Sequence, residues 1–136
     1  MYLVTGATGH VGSEVVEQLL AKGKKVRAFT RDQAKAARWG DRVQVAAGDF
    51  TRPETLRQAA AGVEGIFLMN GGGANQRFGD VVLALKEAGA PRLVFLSSLA
   101  AGSPELAIGK LHVQQEAAIA EAGIPQIGRA SCRERV

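Results

Sequence analysis

Short apolar runs alternate along the chain with segments whose apolar residues lie three or four positions apart. The apolar runs have the length of buried strands, and they cover residues 2–4, 25–29, 42–46, 65–70 and 92–98. The spaced segments predict helices, and they cover residues 12–21, 34–39, 53–60, 77–88 and 104–122. This alternation predicts right-handed crossovers and a doubly wound parallel α/β sheet of about five strands.

The link between the first strand and the first helix is rich in glycine. Gly6, Gly9 and Gly12 lie three apart, whereas the dinucleotide fingerprint has the spacing G-x-G-x-x-G. Gly6 allows a sharp turn, Gly9 allows a pyrophosphate to approach the backbone, and Gly12 allows the helix to pack close to the strand. Three glycines also fit a connection that binds no phosphate, but their place in the first strand–helix–strand unit favours a diphosphate at the helix start. The residues expected to hold it are Gly6, Thr8, Gly9, His10, Val11 and Gly12.

The fold expected from this unit is of the Rossmann type. Its strand order should be 3-2-1-4-5, with the ligand at the switch between strands 1 and 4. The second strand delivers Thr30, Arg31 and Asp32 where such a sheet meets the adenosine ribose. A hydroxyl and a cation suit the 2′-phosphate of NADP, so NADP(H) is preferred and NAD(H) remains possible. Arg31 as a solvated surface residue and Asp32 as a ribose ligand are the alternatives.

A run of glycines also follows the fourth predicted strand. Asn70 and Gly71 stand where that strand ends, and glycine there allows a cofactor to lie close to the backbone. We expect these two residues near the nicotinamide-side ribose. A loop without a binding role is the alternative.

Composition narrows the class of protein. The 136 residues suffice for one domain with a hydrophobic core. No apolar run approaches the ~20 residues of a membrane span, and no signal-peptide pattern stands at the N-terminus. Cys132 is the one cysteine, so an internal disulfide is excluded and no Cys/His cluster indicates a metal. The net charge is +4, but the basic residues form no runs, which argues against nucleic-acid binding. We expect a cytoplasmic protein.

Several motifs resemble one family as a set. They are the G-A-T-G-x-V-G opening, V-R-A-x-x-R-D, A-G-D-F, L-V-F-L-S-S, and H-x-x-x-E-x-x-I before A-G-I-P. Together they resemble the NmrA-like branch of the atypical short-chain dehydrogenase/reductase superfamily over residues 1 to about 126. The resemblance implies an NAD(P)-binding domain and places Asp49 of A-G-D-F beside the adenine, although Asp49 also fits a turn role. The family includes flavin-free NADPH:quinone reductases, isoflavone-reductase relatives and NAD(P)-binding regulators without catalysis.

The acid used by short-chain reductases is missing. In that superfamily a tyrosine and a lysine four residues later protonate the substrate, helped by a serine after the fifth strand. The one tyrosine, Tyr2, lies in the first predicted strand and cannot serve. The candidates that remain are His112 as a proton donor or a substrate-site residue, Ser98 as a substrate ligand and Lys110 as a cofactor ligand. A helix-surface histidine, a strand-end cap and a solvated lysine are the alternative roles for these three.

The missing tyrosine disfavours ordinary ketone reduction more than quinone reduction. Quinone oxygens take protons from water or a histidine, and the protein's share is positioning. The expected function is therefore NADPH-dependent reduction of a quinone or similar small electrophile. The alternative is a non-catalytic redox sensor acting through a protein partner. The expected ligands are the dinucleotide and a small substrate, with a homodimer or a regulatory protein as the possible protein partner and no nucleic acid or membrane.

The last ten residues differ from the rest of the chain. Residues 127–136 carry three arginines and one glutamate, show no strand periodicity, and read as an in-frame translation of a common sequencing-adapter sequence. We therefore predict a cofactor domain at residues 1–126 and a non-native tail at 127–136. The chain should then lack its sixth strand and its substrate lobe.

Overall fold

The chain forms one parallel sheet with helices on both faces. The computed structural model describes residues 1–69, 78–89, 92–97 and 107–131. The strands are β1 (Tyr2–Thr5), β2 (Val26–Thr30), β3 (Val43–Ala47), β4 (Gly65–Met69), β5 (Leu93–Ser97) and β6 (Gln126–Ser131). The helices are α1 (His10–Ala21), α2 (Gln33–Ala36), α3 (Pro53–Ala60), α4 (Phe78–Glu87) and α5 (Ala107–Glu121), with a 3-10 segment at Ala37–Arg42. No helix within these ranges is long and apolar enough to cross a membrane.

The strand order is β3-β2-β1-β4-β5-β6, and every adjacent pair is parallel. The predicted order of the first five strands is confirmed. The order reverses direction at β1, which pairs with β2 on one side and β4 on the other. The carboxyl ends of β1 and β4 therefore border the crevice where open α/β sheets bind ligands.

The sixth strand corrects one expectation. We expected no strand after β5, yet the backbone of Gln126–Ser131 pairs with β5, with a register shift between Leu93 and Val94. An exposed strand edge offers unpaired N–H and C=O groups to any extended segment, whatever its side-chain pattern. Backbone pairing is therefore compatible with a segment that lacks apolar alternation. The non-native origin of residues 127–136 stays a prediction.

Two apolar clusters lie on the two faces of the sheet. Successive strand residues point to opposite faces, so Leu3 packs in the cluster beneath α3, α4 and α5, while Val4 packs in the one beneath α1 and the 3-10 segment. Trp39 is the largest side chain of the second cluster and is 2% exposed. Its indole N–H donates to the Glu17 carboxylate at 2.7 Å, which satisfies its one polar atom.

Arg27 joins three elements near the β3 edge of the sheet. Its Nε donates to the Gln44 side-chain oxygen of β3 at 2.7 Å. Its Nη1 donates to the carbonyls of Ala59 at 2.5 Å and Ala61 at 3.1 Å. Carbonyls at a helix C-terminus have no partner within the helix. The guanidinium of β2 therefore satisfies the end of α3 and links it to β3.

Candidate dinucleotide-binding site

The turn from β1 into α1 requires glycine at two positions, for its backbone conformation at Gly6 and for space at Gly12. Gly6 has a φ of +60°, and an added Cβ would overlap the Met69 side chain. An added Cβ at Gly12 would overlap the Gly6 carbonyl and lie 3.0 Å from the Ala7 Cα. The Gly9 N–H donates to the Gly6 carbonyl at 3.0 Å, which closes the turn. The predicted reasons for a sharp turn at Gly6 and close helix packing at Gly12 are confirmed.

The first turn of α1 is open to an anion. Its N-cap is Gly9, which has no side chain to satisfy the helix N–H groups, and the turn holds no acidic residue. The first N–H bonded within the helix is that of Ser13, which donates to the Gly9 carbonyl at 3.0 Å. His10 and Val11 are exposed. N–H groups without a partner in the helix and the positive end of the helix dipole therefore lie where β1 ends, beside the β1–β4 crevice.

Thr5 fixes the two strand ends that border this crevice. It is fully buried, its hydroxyl donates to the Phe67 carbonyl at 3.0 Å, and it accepts from the Met69 N–H at 2.8 Å. The side chain thus continues the β1–β4 pairing one residue beyond the last backbone partner, Val4 with Phe67. The sequence prediction missed Thr5. The signal was a hydroxyl residue closing an otherwise apolar strand.

The end of β2 presents one free cation. The buried Thr30 hydroxyl accepts from the Asp32 N–H at 3.1 Å, and the Asp32 Oδ1 accepts from the Ala34 N–H at 3.0 Å. Asp32 therefore caps α2, which occupies one of its carboxylate oxygens. Arg31 is exposed, and within the described ranges its guanidinium makes no hydrogen bond or ion pair. Among the residues closing β2, Arg31 is the one that offers a free charge to a phosphate.

Asp49 holds the turn that follows β3. Its Oδ1 accepts from the Thr51 N–H at 2.9 Å, and its own N–H donates to the Thr55 hydroxyl at 3.1 Å. The Thr51 N–H lowers the pKa of the Asp49 carboxyl below its usual range, and the nearby charges of Arg31 and Arg52 lower it further. The turn role is therefore present in the structure. The adenine role of Asp49 stays a prediction.

Gly48 brings the ends of β2 and β3 together. An added Cβ there would overlap the Phe29 ring and lie 2.7 Å from the Thr55 hydroxyl oxygen. The Gly48 N–H donates to the Thr30 carbonyl at 3.1 Å. The sequence prediction assigned no role to this glycine. Its role depends on contacts across the sheet that local spacing does not reveal.

The structure does not bring His112 and Lys110, the two described catalytic candidates, together. His112 is half-buried on α5, its ring centroid is 6.3 Å from that of Phe95, and its buried Nδ1 has no hydrogen-bond partner among the described residues. Lys110 is exposed and lies about 200° away around the same helix, so the two do not converge. The remaining predicted positions, Ser98, Asn70 and Gly71, lie outside the described residues.

An apolar groove of about 280 Å³ lies away from these groups. It is lined by Val15 and Leu19 of α1 and by side chains such as Phe67 and Val94 of the sheet. Tyr2, Gly65 and Arg92 also line it, and they stand at the amino-terminal ends of their strands. The glycine turn is at the opposite, carboxyl end. The groove is therefore not part of the dinucleotide site.

A family model described as NAD(P)H-binding matches residues 6–123. The chain belongs to this NAD(P)H-binding family. The match includes the glycine turn and the carboxyl ends of β2, β3, β4 and β5. Together with the relatives and structures below, it confirms the expected resemblance to the NmrA-like, atypical short-chain dehydrogenase/reductase superfamily and, at the level of the family, the expected NAD(P)H cofactor.

Two curated relatives have reductase names. The NAD(P)H azoreductase of Xenophilus azovorans is 34% identical over 128 residues, which cover 91% of this chain and 45% of that protein. Quinone oxidoreductase 2 of Escherichia coli is 31% identical over 130 residues, covering 91% of this chain and 46% of that protein. The chain therefore spans less than half the length of these two relatives.

Solved structures show the same fold with a cofactor bound. The triphenylmethane reductase of Citrobacter sp. complexed with NADP(H) has a TM-score of 0.84 at 30% identity, covering 94% of this chain and 48% of that one. The NADPH complex of the NADPH-dependent quinone oxidoreductase of Escherichia coli has a TM-score of 0.83 at 30% identity, covering 93% and 47%. The chain is therefore similar in fold to about half of each of these two proteins.

Proposed function

We propose that this chain is the cofactor-binding part of an NADPH-dependent oxidoreductase that reduces a quinone or a similar small electrophile. The observation that carries the proposal is the uncapped first turn of α1 above the glycine turn, at the point where the strand order reverses. The azoreductase and quinone oxidoreductase names of its relatives support reduction of small conjugated acceptors. The activities in these names are those of the relatives.

The proposed cofactor contacts follow the carboxyl edge of the sheet. The open N–H groups at the start of α1 bind the diphosphate, and Arg31 binds the 2′-phosphate beside the Thr30 hydroxyl. Asp49 lies at the adenine end. Asn70 and Gly71, which follow β4 in the sequence and lie outside the described residues, are the proposed partners of the nicotinamide-side ribose.

The residues of this chain would hold the reactants in position and would supply one group that can carry a proton. NADPH, when bound, supplies the hydride. The quinone that accepts this hydride also needs a proton to become a hydroquinone, and the unpaired Nδ1 of His112 is the candidate group to hold it. Because water also protonates a quinone oxygen, a tyrosine acid is not required.

The first test is binding followed by turnover. The chain should bind NADPH, and Gly9→Leu should abolish binding because its side chain would fill the space that the diphosphate approaches. Gly79→Leu is the matched control, since Gly79 is exposed on α4 and an added Cβ there meets nothing within 4 Å. Equal binding by wild type and Gly9→Leu would refute the site.

Turnover is measured as NADPH consumption at 340 nm across a panel of quinones. Quinone-dependent consumption that Gly9→Leu removes supports the enzyme, and His112→Ala then tests the proton donor through the pH profile. Tight NADPH binding without consumption by any acceptor would overturn the proposed reaction and favour a redox sensor.

A further inference from the structure

We propose that Arg52 and Arg31 together bind the 2′-phosphate, so that Arg52 is a second residue selecting NADP over NAD. The inference rests on the proposed function, because it assigns part of the same cofactor site. It adds a residue from the β3–α3 connection to a site that sequence spacing predicted from the end of β2 alone.

The fold brings the two arginines to one edge of the sheet. Thr30 and Ala47 are register partners at the ends of β2 and β3, so Arg31 and Gly48 follow at the same level. The Arg52 N–H donates to the Asp49 carbonyl at 3.0 Å, and this turn returns the chain toward the strand ends. The Thr55 hydroxyl oxygen lies 2.7 Å from the Arg52 carbonyl, which fixes the turn further.

Asp49 lies in the same turn as Arg52, and this turn follows the strand that pairs with the end of β2. The Thr51 N–H keeps its carboxyl ionised, and the positive charges of Arg31 and Arg52 also act on it. An ionised carboxylate near two cations offsets part of their mutual repulsion when no phosphate is bound. A phosphate monoester carries a charge of about −1.5 to −2 and attracts both guanidinium groups. Arg31 and Arg52 thus offer two positive charges to a dianion, and the negative charge of Asp49 offsets one of them.

Arg31 and Arg52 differ from neighbouring arginines because their guanidinium groups form no hydrogen bond or ion pair with the described residues. Arg57 forms an ion pair with Glu87 at 3.5 Å, and the Arg27 guanidinium bonds Gln44 and the end of α3. Arg42 lies 3.8 Å from the Glu17 carboxylate. Within the described ranges, Arg31 and Arg52 make no such bond. Their guanidinium groups are free to bind an external anion.

The test compares two pairs of probes that differ only in the 2′-phosphate. Affinities of wild type, Arg52→Ala and Arg52→Lys are measured by titration calorimetry for NADP⁺ against NAD⁺, and for 2′,5′-ADP against 5′-AMP. Arg92→Ala is the control, because it removes an exposed arginine at the opposite end of the sheet.

Arg52→Ala should weaken NADP⁺ and 2′,5′-ADP on the order of tenfold and leave NAD⁺ and 5′-AMP within about twofold. Arg52→Lys should fall between, since lysine keeps the charge but not the planar fork. Raising the salt concentration should narrow the wild-type preference more than that of Arg52→Ala.

Three outcomes overturn the proposal. Unchanged NADP⁺ affinity in Arg52→Ala, with tight binding by wild type, removes Arg52 and leaves the proposed function standing. Equal losses for NADP⁺ and NAD⁺ indicate a structural role for Arg52. Failure of wild type to bind either dinucleotide overturns both this inference and the proposed cofactor site.

Discussion

The space around single backbone atoms and the backbone conformation determine which positions of the turn must be glycine. Gly12 has an ordinary helical conformation, yet an added Cβ would overlap the Gly6 carbonyl, which is backbone and cannot swing away. Gly6 is constrained by its positive φ and by Met69 together. The two glycines are therefore required for different reasons.

Gly12→Ala should destabilise the chain by about 1–3 kcal/mol, because overpacking against backbone forces α1 away from the turn. It should also weaken NADPH binding, since the α1 N–H groups would shift. Urea unfolding and a binding titration measure the two effects. Gly79→Ala is the control and should leave the free energy of unfolding unchanged or raise it by up to about 1 kcal/mol. Equal stability of the two variants would contradict the packing argument.

The ionisation of Asp49 should be visible in stability at acidic pH. Its folded-state pKa lies below the ordinary value of 3.8, so its charged form stabilises the fold above that pH. This contribution is lost as the pH falls through the folded-state pKa. Asp49→Asn should therefore be less stable than wild type near pH 7, and the difference should narrow below about pH 4. A difference that is constant from pH 7 to pH 3 would exclude this role for the charge.

Between elements, a single hydroxyl holds the ligand crevice. Thr5 bonds the Phe67 carbonyl and the Met69 N–H, so the hydrogen bonds between β1 and β4 extend to Met69, the last residue of β4. Thr5→Val keeps the shape but leaves the Met69 N–H without its acceptor, and should cost about 1–3 kcal/mol in the free energy of unfolding. Thr5→Ser restores the hydroxyl and should recover most of the loss. Chemical denaturation of the three proteins is the measurement.

Element boundaries were predicted best where one residue sets them. Pro53 begins α3 because its missing N–H is unused at a helix start, and the observed range agrees with the predicted 53–60. The predicted helical turn at 34–39 is instead α2 followed by a 3-10 segment, which Gly40 interrupts at a φ of +53°. The roles of Thr5 and Gly48 were missed, because their partners are distant in sequence or lie on another strand. For Thr5 the sequence offered one signal, a hydroxyl at the end of an apolar strand, but it did not identify the partners.

At the scale of the whole molecule, β6 covers the edge that β5 would otherwise expose. The backbone of Gln126–Ser131 covers β5 in this chain, whatever the origin of its sequence. Removing residues 126–136 should expose the β5 edge, lower the melting temperature and promote association. Thermal unfolding and sedimentation at several concentrations measure the two effects. A truncated chain that stays monomeric with an unchanged melting temperature would show that the pairing adds nothing.

The link made by Arg27 has a consequence for how the molecule opens. Because one guanidinium bonds both β3 and the last carbonyls of α3, moving either element away from β2 frees part of the side chain that also holds the other. Amide protons of the two elements should therefore exchange with deuterium through a shared opening event rather than independently. Arg27→Met should let the end of α3 exchange faster than β3. In the wild type, β3 and α3, which lie beside the proposed adenosine end of the site, would thus open as one cooperative unit.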